Sequence, residues 1–327
     1  MRNRIFGLAA CARVARAHAG EKAKPRLLDG EVQYQMSMQL TFALVNGLTV
    51  GMSIFLVAAG LTLVFGILRI LNFAHGGFFM IGAYLTFSFL QVLGDGLAQF
   101  LLASLAAGVV VAGIGIVTDR IVLRRLKDLD EEYMLIGTFG LLMVCVGAVK
   151  LIWGLDYHSV SPPSEVSGIL RFGNLIVSKY SLFIVAMGLV VFFALEFAIH
   201  RLWIGKIVQS LANDGWMTGL LGLNVPLLFT GVVIVAFALA GLAGGLLLPN
   251  QSLSPELGHA YTLNAFIAVI IGGLGNIRGA LFASLILGIT ESMSSFIIPG
   301  MPGLAIYVVM IVLLFARPNG LFHRGVS

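Results

Sequence analysis

The chain has 327 residues, of which 59% are hydrophobic and 11% are charged. An ordinary soluble domain has about 25% charged residues, and a soluble protein of this length could not bury so much apolar surface. The composition excludes disordered, collagenous and disulfide-rich proteins as well. It predicts an all-α, polytopic bundle of transmembrane helices. The formal net charge is +5, and the positions of the charges are more informative than their sum.

The basic excess is concentrated at the N-terminus. Residues 1–35 carry seven Lys or Arg and three acidic residues, but they lack the long apolar core of a signal peptide. Met36 and Met38 stand just before the hydrophobic part begins. We therefore expect residues 1–35 to be a basic extension, non-native or disordered, and residues 36–327 to form a single transmembrane domain. Without the extension, 20 − 7 = 13 bases and 15 − 3 = 12 acids remain, so the excess is no evidence for an acidic ligand.

Apolar runs of about 20 residues predict helices that cross a membrane. The first run, residues 40–68, is long, because a helix of this length would extend about 43 Å and the hydrocarbon core is roughly 30 Å thick. It forms either one tilted helix or two short helices divided at Gly47, Gly51 or Gly60. The expected number of spans is therefore eight to ten. The remaining runs are residues 72–92, 97–118, 133–154, 179–199, 219–248, 260–271, 280–298 and 303–316.

Lys and Arg residues in the connections predict the orientation. Beyond Met36, ten of them lie on the side that we interpret as cytoplasmic, and three lie on the other side. This pattern places the C-terminus inside. A single first span would place the N-terminus outside, and a divided first run would place it inside. The longest outer connection, residues 155–178, is polar and serves either as a contact for an external partner or as a plain connection.

Polar groups near the start of the second run are the first functional candidates, because such groups are costly in a membrane and usually face a protein interior or an aqueous path. Asn72 and His75 are three residues apart and would share one helix face. Gly76 and Gly77 permit a helix break whose free backbone groups could meet a substrate. The group indicates a role in gating or in the architecture of a pathway. The alternative is a local turn satisfied at the membrane interface.

A glycine-rich stretch near the C-terminus contains Gly272, Gly273 and Asn276. It lacks the Gly-x4-Gly-Lys-Ser/Thr order of a phosphate loop, so we interpret it as a tight cytoplasmic turn between two helices. In the apolar run that follows, Glu291 is an intramembrane acid and a candidate for a functional or structural pairing role. Glu196, near the end of an earlier run, is a weaker candidate.

The sequence indicates no catalytic or metal site. Cys11 and Cys145 are far apart and have no Cys or His neighbours at ligand spacing, so we expect neither a metal ion nor a disulfide framework. An intramembrane enzyme would pair His75 as a base with a serine of the 280–298 run. No sequence context links these residues, although catalytic groups meet in space rather than in sequence.

A short amphipathic pattern lies in the cytoplasmic connection of residues 205–224. Its apolar residues recur at helical spacing, and they are Ile207, Val208, Leu211 and Ala212. A partly apolar helix exposed to the cytosol indicates docking to a partner. An ordinary interfacial connector is the alternative.

Three segments together resemble the permease subunit of branched-chain amino-acid ABC transporters, of the LivH type. They are residues 60–76 (GLTLVFGILRILNFAHG), the connection ending in LLGLN at residues 220–224, and residues 272–279 (GGLGNIRG) followed by LGITE at residues 287–291. They occur in the family's order and spacing, and the resemblance covers roughly residues 38–321. It implies a multi-pass ABC importer permease of the bacterial inner membrane that carries leucine, isoleucine or valine by alternating access.

The resemblance also implies partners. Two cytosolic ABC ATPase subunits would use ATP, so no cofactor is expected in this chain. A second related permease, or a second copy of the chain, would complete the path, and a periplasmic substrate-binding protein would deliver the substrate. The lipid bilayer is the remaining expected partner, and no nucleic acid is expected to bind. The residues implied to couple the permease to the ATPases are Gly205, Lys206, Ala212, Asp214, Gly222 and Asn224.

Departures from the family pattern leave the substrate open. Gly77 stands where the family commonly has Glu. Asn213, Trp216 and Thr218 stand where an acid, a polar residue and Ala are common. Related permeases that carry urea, amides or other amino acids resemble the same motifs. A secondary transporter or channel would need intramembrane charges to couple ions, for which Glu291 is the main candidate.

Overall fold

The computed structural model of the protein describes residues 25–68, 72–126, 129–172, 175–297, 300–301, 303–317 and 320–322. Helices dominate, as the composition predicts, and the strands among these residues form one short hairpin. Most of the predicted N-terminal extension, residues 1–24, lies outside the described residues. A helix is already present from Pro25 onward, so the boundary at residue 36 stays a prediction.

The helices follow one another with short connections. In chain order they are α1 (Pro25–Leu68), α2 (Ala74–Leu93), α3 (Leu97–Thr118), α4 (Glu131–Trp153), α5 (Lys179–His200), α6 (Trp203–Asn213), α7 (Gly215–Leu220), α8 (Val225–Leu247), α9 (Leu257–Gly272), α10 (Ile277–Ile297) and α11 (Leu304–Ala316). A π-helical turn (Asp119–Leu123) and one further helical turn (Arg124–Leu126) continue α3. The hairpin of β1 (Ile169–Phe172) and β2 (Leu175–Ser178) lies between α4 and α5.

Six helices of the described chain are long and apolar enough to cross a membrane, namely α1 to α5 and α8. Together with α10, which occupies the predicted run 280–298, and the shorter apolar helices α9 and α11, they make nine helices that correspond to predicted runs, within the expected range of eight to ten. The predicted runs coincide with these helices, except that the run 219–248 begins before α8 because Gly219 and Leu220 belong to α7. The protein is a multi-pass, all-α membrane protein.

The first apolar run forms one unbroken helix, α1, so the alternative of two short helices is wrong. The glycines of α1 serve close packing instead. A Cβ at Gly47 would lie 2.7 Å from the Cα of Ile289, and one at Gly51 would lie 2.8 Å from the Cα of Leu285. Both of these atoms belong to the backbone of α10, so any side chain here would push the two helices apart.

The middle of the bundle is occupied by α1. Its residues from 51 to 64 are all buried, and it packs most extensively against α10 and then against α8, α9 and α5. The pair of α1 and α10 is antiparallel, because Gly47 meets the second half of α10 whereas Gly66 meets Gly275, just before α10 begins. Since α1 crosses once, its N-terminal end lies on the side opposite to the 273–276 turn, which is the outer side in the predicted orientation.

Three helices lie at the periphery of the bundle. Large apolar side chains of α4, α5 and α11 are exposed, for example Ile136, Phe193 and Phe315. In a membrane protein such side chains face lipid or the apolar surface of another helix bundle. The periphery therefore provides the surfaces on which lipid or a second subunit would pack.

Connections predicted to be outside meet at one end of the bundle. The strands β1 and β2 pair antiparallel within the polar connection of residues 155–178. In the same connection, His158 pairs through its backbone with Leu253, which lies between α8 and α9. The backbone N–H of Leu97, at the start of α3, donates to Glu165 Oε2 over 3.1 Å. The three connections thus lie together on one side, as expected when successive helices cross the membrane in alternating directions.

Candidate functional site

The 205–224 segment folds into the short helices α6 and α7 at the predicted cytoplasmic end. The predicted apolar stripe lies on α6, where Leu211 is buried and Val208 packs against the core. At Gly205 a Cβ would lie 2.2 Å from the carbonyl oxygen of Ala198, so α6 folds back tightly on the end of α5. Lys206, by contrast, is exposed. The stripe therefore anchors α6 to the bundle and leaves its other face exposed.

Side-chain caps fix the two turns of this segment. Asp214 Oδ1 accepts a hydrogen bond from the backbone N–H of Met217 over 2.9 Å and caps the N-terminus of α7. Asn224 Oδ1 accepts from the N–H of Leu227 over 3.2 Å and caps α8. Between the caps, Gly222 has a φ of +80°, a conformation that L side chains rarely adopt. Three of the coupling candidates thus set the path of the backbone, and Ala212 is half-buried at the end of α6.

Neighbouring apolar side chains of this segment are exposed. Trp216 in α7 is 74% exposed. The others, on and just after α7, are Met217, Leu220 and Leu221. Exposed apolar patches outside the membrane-crossing helices indicate an interaction site, and Trp and Met are enriched in the cores of protein interfaces. We call these four residues the α7 surface. Its most exposed member, Trp216, is a residue at which the chain departs from the family pattern.

The first predicted pathway group lies deep between helices. Asn72 and His75 are both buried. Asn72 Oδ1 accepts from the backbone N–H of Ala74 over 3.0 Å, at the start of α2. His75 Nε2 lies 3.2 Å from the carbonyl oxygen of Val57 in α1. The imidazole packs over Gly60, where a Cβ would lie 2.8 Å from His75 Cε1. Asn72 therefore fixes the start of α2, and His75 joins it to the middle of α1.

Each member of this pair keeps one polar atom without a partner. Among the described residues, Asn72 Nδ2 and His75 Nδ1 have no hydrogen-bond partner. Most buried polar atoms in proteins are paired, so such exceptions call for an explanation. The gating or pathway role of the two residues stays a prediction, and these unpaired atoms are the structural observation that supports it.

Gly76 and Gly77 are packing positions, and the helix break that they would permit does not occur, because α2 runs through them without interruption. A Cβ at Gly76 would lie 1.7 Å from Thr262 Oγ1 of α9. A Cβ at Gly77 would lie 2.8 Å from the Cβ of Cys145 on α4. The two glycines bring α2 against two neighbours at once. The Glu that the family commonly has at the position of Gly77 would have to displace the Cys145 side chain.

The predicted turn between two helices is present at residues 273–276. A Cβ at Gly272 would lie 2.4 Å from the carbonyl carbon of Gly279, so α9 and α10 meet on bare backbone, and Gly273 has a φ of +96°. Asn276 Oδ1 accepts from the N–H of Gly279 over 3.1 Å. Asn276 Nδ2 donates to the carbonyl oxygen of Phe322 over 3.0 Å. The turn ties the start of α10 to the C-terminal residues.

Both candidate acids have structural partners. Glu291 Oε1 accepts from the backbone N–H of Gly303 over 2.9 Å, which places a carboxylate at the positive N-terminal end of α11. Glu196 Oε1 accepts from Arg278 Nε over 2.8 Å and lies 3.3 Å from His200 Nδ1. These contacts give both acids a structural role, although Glu196 Oε2 is buried without a hydrogen-bond partner among the described residues. They weigh against the interpretation of either acid as an ion-coupling group.

Cysteines and possible metal ligands are scattered. In the described ranges, no group of three or more His, Cys, Asp or Glu side chains is placed to hold a metal ion. Cys145 is a buried free thiol that fills space against α2, and Cys11 lies outside the described residues.

A polar cluster that the sequence interpretation missed joins α3 to α8. Thr230 Oγ1 lies 2.8 Å from Asp119 Oδ2, and Arg124 Nε lies 3.2 Å from the same oxygen. Asp119 gave a signal in the sequence, because it is an acid placed directly after an apolar run. Thr230 gave none, because it is a small polar residue inside an apolar run.

Comparison with known proteins gives one consistent family. Residues 43–316 match the family described as "Branched-chain amino acid transport system / permease component". The high-affinity branched-chain amino acid transport system permease protein BraD of Pseudomonas aeruginosa is 31% identical over 293 residues, which cover 86% of this chain and 95% of BraD. The corresponding protein LivH of Escherichia coli is 29% identical over 293 residues, with 85% and 94% covered.

A second kind of relative is more distant. The permease protein LivM of the same Escherichia coli system is 28% identical over 303 residues, which cover 84% of this chain and 68% of LivM. No solved structure matches the chain significantly. The matched region contains both the glycine-packed helices around α1 and the 205–224 segment.

Proposed function

Because the chain belongs to the family of branched-chain amino acid transport system permease components, we propose that it is the membrane-spanning subunit of an ATP-driven ABC importer for branched-chain amino acids. Its relatives BraD and LivH are named for high-affinity transport of these substrates. We place the importer in the bacterial inner membrane. ATP is hydrolysed on separate subunits. This chain provides the path of the substrate through the membrane and the cytosolic segment that the ATPases move.

The observation that carries the proposal is the combination of the family match with the form of the 205–224 segment. The segment presents the α7 surface to the cytosol, and its turns are held by Asp214 and Asn224. An apolar surface on a fixed backbone suits docking, because little ordering of loops opposes association. We propose that two cytosolic ATPase subunits power the importer, and that one of them docks on this segment.

The mechanism that we propose is a displacement passed from the ATPases to the helix bundle. When the ATPases close on ATP, the 205–224 segment moves, and α8 moves with it because Asn224 caps its first turn. Since α8 packs against α3, α2 and α1, the displacement reaches the helices at the centre. The bundle then opens the central path to the other side of the membrane.

The gating role that we propose for Asn72 and His75 depends on their position in this relay. His75 contacts the carbonyl oxygen of Val57 in α1, and it also lies beside Phe237 in α8, with ring centroids 6.1 Å apart. A shift of α8 relative to α1 would therefore change the surroundings of His75. The unpaired Asn72 Nδ2 and His75 Nδ1 would find partners in a second arrangement, and such differential contacts are what a two-state element needs.

Two further partners complete the proposal. A second permease, either a related chain or a second copy, would pack against the apolar periphery, and the likeness to LivM supports a related chain. A periplasmic substrate-binding protein would dock on the outer end, where β1, β2 and the connection around Glu165 are tied to the bundle.

Reconstitution tests the proposal directly. The chain is expressed with the ATPase subunits, the second permease and the binding protein of its transporter, and the purified complex is placed in liposomes that contain ATP. We expect uptake of labelled leucine, isoleucine and valine that needs both ATP and the binding protein. Uptake that continues without the ATPases, or that an ion gradient drives in liposomes with this chain alone, would contradict the proposal. If urea or acetamide competes with this uptake, the chain is still an ABC importer permease, but its substrate is not restricted to branched-chain amino acids.

A further inference from the structure

The interface of α3 with α8 changes character at its cytoplasmic end. Along most of its length the two helices touch on small residues. For example, a Cβ at Gly108 would lie 2.9 Å from the carbonyl oxygen of Ala238. Beyond Thr118 this apolar contact is replaced by a cluster of three polar side chains, Asp119 and Arg124 from the end of α3 and Thr230 from α8. Burying a charge at the end of an apolar interface costs desolvation free energy, so the presence of Asp119 here calls for a reason other than packing.

Each of the three residues contacts the other two. The Thr230 hydroxyl donates to Asp119 Oδ2 over 2.8 Å, and Arg124 Nε donates to the same oxygen over 3.2 Å. Arg124 Nη2 donates to Thr230 Oγ1 over 2.5 Å. The Asp119 side chain is 5% exposed, whereas that of Arg124 is 44% exposed. A buried carboxylate is tolerated when it is paired and hydrogen-bonded, so separating α3 from α8 here would remove one of its partners.

The Thr230 hydroxyl has a second acceptor within its own helix. The carbonyl oxygen of Pro226 lies 3.1 Å from Thr230 Oγ1. A hydroxyl has one proton to donate, so the bond to Asp119 and the bond to Pro226 exclude each other at any moment. The contact between the helices can therefore be exchanged for a contact inside α8, and only the bond to Asp119 joins α8 to α3 through this proton.

The π-helical turn is what brings Asp119 and Arg124 together. In an α-helix of 3.6 residues per turn, side chains five residues apart point about 140° away from each other. In a π-helical turn, where hydrogen bonds join residues i and i+5, they lie on the same side. The backbone N–H of Arg124 does donate to the carbonyl oxygen of Asp119. Such turns are rare and often occur at functional sites.

The cluster lies close to the 205–224 segment. Thr230 is six residues after Asn224, which caps α8, and this spacing corresponds to about 9 Å along a helix. A displacement of the segment that enters α8 at Asn224 thus reaches Thr230 within two helical turns, before it reaches the glycines of the bundle core.

We propose that Asp119, Arg124 and Thr230 form a clamp that makes α3 move together with α8 when the 205–224 segment is displaced. This inference rests on the proposed function. The three are positioning residues, which act through the helix pair and touch neither substrate nor ATP. With the clamp closed, the pair moves as one body and ATP hydrolysis opens the path. Without it, α8 slips along α3 and ATP is hydrolysed with less transport.

The effect of the clamp on coupling is measured as uptake per ATP hydrolysed. The measurement uses the complete transporter, reconstituted with its ATPases and binding protein. Thr230→Val removes the hydroxyl and keeps the volume, whereas Thr230→Ser keeps the hydroxyl. We expect Thr230→Val to lower uptake per ATP about tenfold, the effect of losing about one hydrogen bond to a charged group, and Thr230→Ser to stay near the wild type. Arg120→Gln changes an exposed charge of the same π-helical turn and is expected to leave the ratio unchanged.

A wild-type ratio in Thr230→Val, or an equal fall in uptake and in ATP hydrolysis, would overturn the clamp while leaving the proposed function in place. The absence of ATP-driven uptake in the wild type would overturn the proposed function, and the clamp with it. A cross-link gives a second measurement, in which one variant is compared with itself before and after its two helices are joined. Asp119→Cys and Thr230→Cys are combined in a background carrying Cys11→Ser and Cys145→Ala, and a short bifunctional thiol reagent joins them. Joining is expected to raise uptake per ATP relative to the unjoined protein, and loss of uptake on joining would show that the helices must separate.

Discussion

The helices around α1 and the 205–224 segment both depend on glycine, but for different reasons. Where α1 crosses α10, glycine allows backbones to touch, and a Cβ at Gly288 would lie 2.1 Å from the backbone nitrogen of Gly51. In the segment, the Cβ position of Gly222 has nothing within 4 Å, and glycine is needed for a φ of +80°. Gly288 thus depends on a contact with a helix distant in sequence, whereas Gly222 depends on the local direction of the chain.

Polar side chains differ between the two regions as well. In the core, Asn72 and His75 each keep an atom without a partner among the described residues. In the segment, Asp214 and Asn224 both cap a helix. A unit whose polar groups are satisfied locally can be displaced as a whole. A region with unpaired polar atoms gains from a second arrangement. The difference fits the proposed roles, in which the 205–224 segment is displaced as a unit and the helix bundle changes between two arrangements.

The largest effect is expected in the core. Gly288→Ala would place a methyl group among backbone atoms of Gly51 and Gly47, at 2.1 to 2.5 Å, where no side chain can move aside. Overpacking of a tight core costs about 1–3 kcal/mol and sometimes more, so we expect the variant to lose thermal stability in detergent or to fail to accumulate. The midpoint of heat-induced aggregation, followed by size-exclusion chromatography, measures this effect.

The matched control is Gly147→Ala on α4, where the new methyl group has nothing within 4 Å. Alanine stabilises a helix interior by roughly 0.5–1 kcal/mol relative to glycine, so this variant is expected to equal or exceed the wild type. Equal midpoints for the two variants would show that α1 and α10 are not held at backbone contact.

The next effect concerns the segment and leaves the core intact. Trp216→Ser removes the most exposed member of the α7 surface. Since Trp residues that anchor an interface contribute about 2 kcal/mol or more, we expect roughly a thirtyfold weaker affinity for the ATPase subunits, with an unchanged midpoint of heat-induced aggregation. Affinity is measured by titrating labelled permease in nanodiscs with the ATPases. Tyr157→Ser, which removes a 78% exposed aromatic residue at the opposite end, is expected to change neither quantity. Equal affinities for both variants would remove the α7 surface from the interface.

The same contrast explains how much of the fold the sequence predicts. Apolar runs locate the membrane-crossing helices because lipid demands long apolar helices whatever their neighbours are. The turn at residues 273–276 is predicted by its own glycines and by Asn276, which are local signals as well. The sequence left open whether α1 is divided and whether α2 breaks at Gly76 and Gly77, because glycine permits both a break and a close contact. The partner that decides between them is distant in sequence, as Gly288 is from Gly51.

The candidate site was predictable to a smaller extent. The positions of Asp214 and Asn224 follow from the family resemblance, yet their capping bonds depend on where α7 and α8 begin. The clamp of Asp119, Arg124 and Thr230 could not be predicted, since a spacing of five residues does not fit an α-helix and Thr230 lies 111 residues beyond Asp119. Periodicity describes regular helices, and this cluster depends on an irregular one.

A smaller effect is expected at the junction of the two regions. Asn224→Ala removes the cap of α8, and loss of such a cap costs about 1 kcal/mol. We expect a lower rate of ATP-dependent uptake with little change in the melting of the bundle, because the first turn of α8 would fray and transmit less of the displacement. Asn224→Asp keeps an acceptor oxygen at the cap and is the control that should retain uptake. If Asn224→Ala and Asn224→Asp reduce uptake alike, the amide group itself is required and capping is not its role.

The smallest effect is expected at the outer end. Hydrogen bonds to Glu165, first from its own backbone N–H and then from the Ser164 hydroxyl and the Leu97 N–H, lower the pKa of this carboxyl below its ordinary value. A group whose pKa is lowered by folding stabilises the folded form above its ordinary pKa, and this contribution is lost as the pH falls through the lowered value. We expect the Leu97 amide to be protected from hydrogen exchange at neutral pH and to lose that protection only in acid, after correction for the intrinsic exchange rate. Glu165→Gln should show weaker protection that does not change with pH in this range. If the wild type and Glu165→Gln respond to acid in the same way, the carboxylate does not tie the outer connection to α3, and the binding protein would dock on a looser surface than the structure shows.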